Sequence, residues 1–535
     1  MPAHTFPALN MFGPGKNGNE LIDPATGAES ASLSPRFETI SVGSVTTDYD
    51  FGAASLKSIS SYMSDLVEGI NDNTFLSGSG TGLTPYPSND IFTYPGAYQT
   101  TPYHNYLRRL TQELRLTSSS TARFTWVLGA YYSNDHFKFF QENLDNTEIY
   151  WPIMRGQTYQ QVLGIPVWGG PAGNNPAAKS WAEVDTVERH SAGYGEANYL
   201  LTTRLKVTAG VRVSHDNTES VYKLLGAQNR GFAIPTLANR GLLPGSSEDS
   251  PVTPKVSVSC QITDRDMVYA TAAKVFRSGG FNANVQGSLL AARGICSQAQ
   301  LDVTPQNFGP DTVWSYEVGS KLRLGQIAQL NSSAYRINWN NIQTTIATPT
   351  CGQYVANTGA AVSQGADLQA EIRPVRHLTL NVNAGYDDAH YTQTVAGSIL
   401  GGASVLVAKG DAIPGVPRWT YNAGANFDFT LFDRSAYLSG DYQFASEARR
   451  STGPLTVGYR ADMFKGNVLH YANLRAGIEL RPQLDVAFYV KNLGNSRDLT
   501  QEFGGATIQR PYAPQLFGQT FRPREFGLSA NYYVK

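Results

Sequence analysis

Leu205, Val207, Ala209, Val211 and Val213 interleave with Arg204, Lys206, Thr208, Gly210 and Arg212. Successive side chains of an extended strand point to opposite faces, so this alternation places one apolar and one polar stripe on the same ribbon. Leu378, Leu380, Val382, Ala384 and Tyr386 repeat the pattern against Thr379, Asn381, Asn383 and Gly385. Ala472, Leu474, Ala476, Ile478 and Leu480 do so against Asn473, Arg475, Gly477 and Glu479. Similar stretches run through 124–132, 256–262, 314–324, 366–372, 419–429, 484–490 and 526–534, and in all the pattern predicts 17 strands.

The connections between these strands come in two kinds. Short ones are expected near 50–53, 118–121, 201–203, 263–266, 325–327, 374–377, 431–434 and 481–483. Long ones are expected near 65–105, 135–185, 215–251, 277–311, 340–362, 391–417, 447–467 and 496–521. The two kinds alternate without exception, which places every long loop at one end of the sheet. A soluble sandwich has no reason to do this, whereas an outer-membrane barrel has short periplasmic turns and long extracellular loops. The fold class read here is therefore all-β, a transmembrane antiparallel β-barrel. Trp419 and Phe429 cap one apolar stripe; ten residues rising ~3.3 Å each and tilted about 40° cover roughly 25 Å, the height of the apolar band of such barrels.

Seventeen is an odd number, and bacterial single-chain barrels close with even counts. The last strand runs inward, so the first, near Phe37–Asp48, also runs inward and residues 1–36 are expected to be the remnant of an extracellular loop. Residues 37–535 are then the barrel. Set against a plugged barrel of about 22 strands, the expectation is that the chain is the C-terminal part of a longer protein, without five strands, a plug and a signal peptide.

Composition narrows the function. Charged residues make up 16% of the 535, and 42 Lys and Arg against 43 Asp and Glu leave no basic field for nucleic acid. Three cysteines exclude a disulfide scaffold. The longest nearly apolar run, 396–408, is too short for a helical span. No nucleophile elbow, zinc-protease helix, paired-cysteine or phosphate-loop motif is present, and the eight histidines are scattered. No enzyme and no cofactor is expected. Asp387, Asp388 and His390 sit where a strand meets its outer loop and read as a solvated margin rather than a metal site.

Five motifs carry a family resemblance. Gln112–Thr117 followed by Trp126–Tyr132, Lys274–Asn282 (KVFRSGGFN), Ser315–Lys321 (SYEVGSK), Val490–Asn495 (VKNLGN) and Arg522–Gly527 (RPREFG) occur in that order. Together they resemble the barrel of the TonB-dependent outer-membrane receptors. The resemblance implies a monomer in the lipid of a Gram-negative outer membrane, importing a scarce ligand: a ferric siderophore, haem, cobalamin or an oligosaccharide. It also implies that the full-length parent is powered by the TonB–ExbB–ExbD complex, although the coupling segment of the family lies N-terminal to everything in this chain. A passive porin-like channel and a nonfunctional fragment are the alternatives.

Candidate site residues follow from the topology. The loop 135–185 concentrates Phe137, Phe139, Phe140, Tyr150, Trp151, Tyr159 and Trp168. Tyr150, Trp151, Tyr159 and Trp168 are the expected stacking surface for a ligand, packing within the loop being the alternative. Cys296 and Cys351 fall in neighbouring outer loops and are a disulfide candidate, while Cys260 lies on an apolar stripe. Arg212, Arg277, Glu317, Lys321, Arg323, Glu371 and Arg373 fall on polar stripes and are expected to face the lumen. The resemblance implies that such residues hold a plug.

Overall fold

The computed structural model describes residues 20–22, 29–31, 36–72, 99–119, 122–145, 178–225, 242–282, 305–348, 352–399, 402–449, 453–456, 466, 468–504 and 516–533. Among these residues every regular element is a strand, and no helix is long and apolar enough to cross a membrane. The wall is built from β1 (Arg36–Asp50), β2 (Ala54–Asp72), β3 (Gln99–Ser118), β4 (Phe124–Asp145), β5 (Ala178–Leu200) and β6 (Leu205–Leu225). It continues through β7 (Val252–Gln261), β8 (Met267–Arg277), β9 (Asp311–Leu324), β10 (Ala328–Asn340), β11 (Ala360–Val375) and β12 (Leu378–Tyr391). It ends with β13 (Trp419–Leu431), β14 (Arg434–Ala445), β15 (Leu469–Arg481), β16 (Leu484–Lys491) and β17 (Glu525–Tyr532).

Each strand pairs antiparallel with its chain neighbour from β1 to β17. A further piece, Leu242–Asp249, pairs with the outer half of β6 in the register that β7 continues, so it is the outer end of β7, broken at Ser250-Pro251. Proline has no amide hydrogen to give the ladder, which is where such a break belongs. Counted this way, the sheet's 18 segments make 17 strands, the number the alternation predicts. In the order around the sheet β17 comes next to β1, but no residue register joins them, and all 15 residues of β1 are exposed. The wall has a seam there.

One rim carries only turns of two to five residues, at the eight places the sequence predicts. Three of them have two residues, and one of these, Phe432-Asp433, has positive φ at both positions (51° and 57°), the geometry that matches a two-residue hairpin to strand twist. The opposite rim carries the long connections, several of which fold into hairpins of their own: 343–348 with 352–357, 395–399 with 402–407, and 499–504 with 516–520. Within the stretch read as a loop remnant, Glu20–Ile22 pairs with Glu29–Ala31.

The outer bounds of several strands differ from the expectation. β4 runs to Asp145 and β5 starts at Ala178, so Phe137, Phe139 and Phe140 belong to β4 and not to a loop. β5 has 23 residues, roughly 76 Å of extended chain, and even tilted it reaches roughly 30 Å beyond a 25 Å apolar band. The wall from β2 to β7, the last with its outer piece Leu242–Asp249, therefore stands above the rest.

The apolar stripes do not meet one another. Val211, Val213, Val256, Val258, Val318, Leu368, Leu438, Leu474 and Phe488 are all exposed on one face, and Cys260 shares the stripe of Val256 and Val258. Aromatic rings edge this face: Tyr386, Trp419, Tyr421, Phe444 and His470 form a chain of ring contacts at 4.7–5.9 Å. Phe427 and Phe429 stack nearer the turns. Burial is concentrated instead at the long-loop rim, where Ile342, Ala361, Tyr391 and Val407 pack with Trp339, Val395 and Ile413.

Candidate functional site

The polar stripes share the other, inward face, and their side chains satisfy one another there. Five inward tyrosines each lie against a glycine directly opposite in the ladder: Tyr194 on Gly129, Tyr269 on Gly319, Tyr335 on Gly365, Tyr437 on Gly477 and Tyr489 on Gly527. A methyl group at any of these glycines would come within 2.1–2.7 Å of the tyrosine. The ring thus fills the gap its partner leaves and covers backbone that a glycine exposes.

Charged neighbours hold the tyrosines. Tyr194 donates its hydroxyl proton to Glu113, which also accepts from Arg115 at 2.8 Å. The Arg212 guanidinium lies 5.4 Å from the Tyr131 ring and 5.8 Å from that of Tyr194, close enough for cation–π attraction. Tyr269 donates to Glu317 at 2.5 Å, and Arg475 Nε donates to the Tyr437 oxygen at 2.9 Å. Arg212 and Glu317 are thus part of this inward network.

The other expected inward residues lie apart from it. Arg277 pairs with the buried Asp311 at the long-loop end, 5.8 Å from the Trp339 ring. Glu371 and Arg373 pair with each other at 2.9 Å, exposed. Lys321 lines the cavity described next, and Arg323 lies at the short-turn rim, where its backbone amide donates to Asp266. Asp388 pairs with Arg418 at 3.2 Å and with His390 at 3.4 Å, and Ser363 donates to Asp387. Tyr150, Trp151, Tyr159 and Trp168 lie outside the described residues, as do Cys296 and Cys351.

A cavity of about 660 Å³ opens on the inward face. Tyr269, Lys321, Asp367, Asn422, Gln443 and Tyr471 are among its lining, with Phe521 against Tyr471 at 4.7 Å between ring centroids. Amides and hydroxyls with a few aromatics make a surface for a polar ligand carrying rings. Of these residues only Lys321 was singled out from sequence; Asn422 and Gln443 were legible as uncharged polar groups on inward stripes. At the long-loop rim, burial raises the hydroxyls of Tyr354 and Tyr391 above their ordinary value, with Asp411 adding to the effect on Tyr391.

The family described as TonB dependent receptor-like, beta-barrel matches residues 14–493. The chain belongs to that family. TonB-dependent receptor barrels are outer-membrane proteins of Gram-negative bacteria, and the family consists of receptors and transporters rather than enzymes. The pesticin receptor of Yersinia pestis is 23% identical over 308 residues, 57% of this chain and 39% of that protein. The ferric yersiniabactin uptake receptor FyuA from Yersinia pestis shares the fold at a TM-score of 0.65 and 15% identity, covering 95% of this chain and 64% of that one. The siderophore receptor PiuA from Acinetobacter baumannii does so at a TM-score of 0.64 and 13% identity, covering 93% and 65%. This TonB-dependent receptor chain thus spans less than two thirds of the length of these relatives.

Proposed function

We propose that this chain forms the barrel of an outer-membrane transporter for TonB-dependent uptake of a ferric siderophore or a similar chelate. The observation that carries the reading is the division of the wall: an exposed apolar face edged by aromatic rings, and an inward face of amides, hydroxyls and paired charges around a 660 Å³ cavity. The names of the pesticin, yersiniabactin and siderophore receptors support the choice of cargo. In this reading the barrel is a monomeric scaffold and conduit in the outer membrane. The TonB–ExbB–ExbD complex supplies the energy, and the outer aromatics Tyr150, Trp151, Tyr159 and Trp168 contact the ligand.

Uptake of radioactive iron from a panel of catecholate, hydroxamate and phenolate siderophores tests it in the source organism. Deletion of the native locus should abolish uptake of one ferric chelate, and deletion of tonB should reproduce the loss. Unchanged uptake of every chelate would refute the cargo. TonB-independent flux with a large, steady conductance in planar bilayers would instead establish a passive channel.

A further inference from the structure

Where β3, β4, β5 and β6 rise toward the long-loop rim, the inward face carries a row of ionisable groups unlike any other in the described wall. Arg109 donates from Nε to Asp135 Oδ2 at 2.8 Å, and its second nitrogen lies 2.6 Å from the same oxygen. Asp135 stands directly opposite Glu188 in the ladder, and His190 directly opposite Asp216. His190 Nδ1 is 3.0 Å from Asp216, and its Nε2 is 3.7 Å from Glu188. One ligand atom each from Asp135, Glu188 and His190 can be chosen so that all three lie within 4.8 Å of one another.

The carboxylate of Asp135 is the informative member. Its side chain is 6% exposed, yet Oδ1 is buried and has no hydrogen-bond partner. A buried carboxylate oxygen without a partner is costly. With Oδ2 turned to Arg109 on one neighbouring strand, the unpartnered oxygen belongs to a residue whose other neighbouring strand presents Glu188 and His190. Asp135, Glu188 and Asp216 face two cations, Arg109 and the His190 imidazole, which Glu188 and then Asp216 hold well above its ordinary value, and Asp249 lies opposite Asp216 on the next strand. Tyr131 is the remaining titratable group near Arg109.

We propose that Asp135, Glu188 and His190 form a binding site for one divalent transition-metal ion of the zinc class in the inward wall. Two carboxylates and an imidazole are the donor set such ions take, and Zn²⁺ commonly completes its shell with water. Binding converts the unpartnered Asp135 oxygen into a ligand. Asp216 orients His190 through Nδ1 and accepts a hydrogen bond from Ser278 at 2.8 Å, while Asp249 accepts from the Gly279 amide at 2.6 Å. The ion would therefore sit one residue away from Asp216, the carboxylate that accepts from Ser278 at the start of the long connection after β8.

The test is calorimetric titration of the full chain in detergent with Zn²⁺ alone, at pH 7.5. One ion per chain is expected. Asp135→Asn and His190→Gln should each weaken binding about 10-fold or more, a lower bound taken from the 10–100-fold cost of losing outer-shell partners. His136→Gln, which removes the partner of Asp185 at 2.7 Å outside the cluster, should leave it unchanged. If Asp135→Asn fails to fold, the half-exposed Glu188→Gln takes its place with the same expectation. No binding by the unaltered chain, or binding that survives substitution of His190 and Glu188 together, overturns the proposal.

Discussion

Arginine in place of Leu438 is expected to cost about 2–4 kcal/mol of stability in lipid, the cost of a cation on the outer face near the middle of a β-barrel's apolar band. Leu438 is exposed on β14, five residues past the turn at 432–433. The same substitution at Gln443, five residues along the same strand and therefore on the opposite face, places the charge against the amides and hydroxyls of the cavity. That change should fall within about 0.5 kcal/mol of the unaltered chain. Equilibrium urea unfolding in liposomes measures both. Equal costs at the two positions would mean that the faces of β14 do not differ in what they touch.

Alanine at Gly129 or Gly477 is the second large effect. The new methyl would sit 2.1 Å from the Tyr194 ring or 2.3 Å from the Tyr437 ring, so the ring must leave its place and break its hydrogen bonds to Glu113 and Arg115, or to Arg475. Overpacking of this kind costs about 1–3 kcal/mol. The mechanism makes a sharper statement about the pair. In a Tyr194→Ala background there is no ring to displace, so Gly129→Ala should cost close to nothing, and the double-mutant cycle should show coupling of about 1–2 kcal/mol. Additive costs across the cycle would show that the glycine is required for some reason other than the tyrosine over it.

The short-turn rim was legible in the sequence because both signals coincide there. Alternation continues to the last residue of each strand, and punctuation such as Phe432-Asp433 follows at once. The long-loop rim was not, and β4 and β5 show why. Beyond the apolar band there is no lipid to demand an apolar face, so both faces mix charge with apolar groups: His136, Lys138 and Asp185 share one side with Phe140, and Asp135, Glu188 and His190 the other with Phe137 and Phe139. A ladder whose two faces are alike in polarity has no period-2 signature, and its residues read as loop. The inward placement of Arg212 and Glu317 followed from parity alone. The tyrosine–glycine pairs did not, because they depend on which residue of the next strand stands opposite, and register is not contained in the pattern of any one strand.

In an outer-membrane barrel one face of each strand touches lipid and the other touches water. Nitroxide labels placed singly from 206 to 213 on β6, with Cys260, Cys296 and Cys351 replaced by serine, test it directly in liposomes. Collision with lipid-soluble oxygen should peak at 207, 209, 211 and 213, and collision with a water-soluble nickel chelate at 206, 210 and 212. Labels at 207–213 shielded from both reagents at every odd position would mean that the apolar stripe packs against protein in a dry interior, and the transport reading would fall with it.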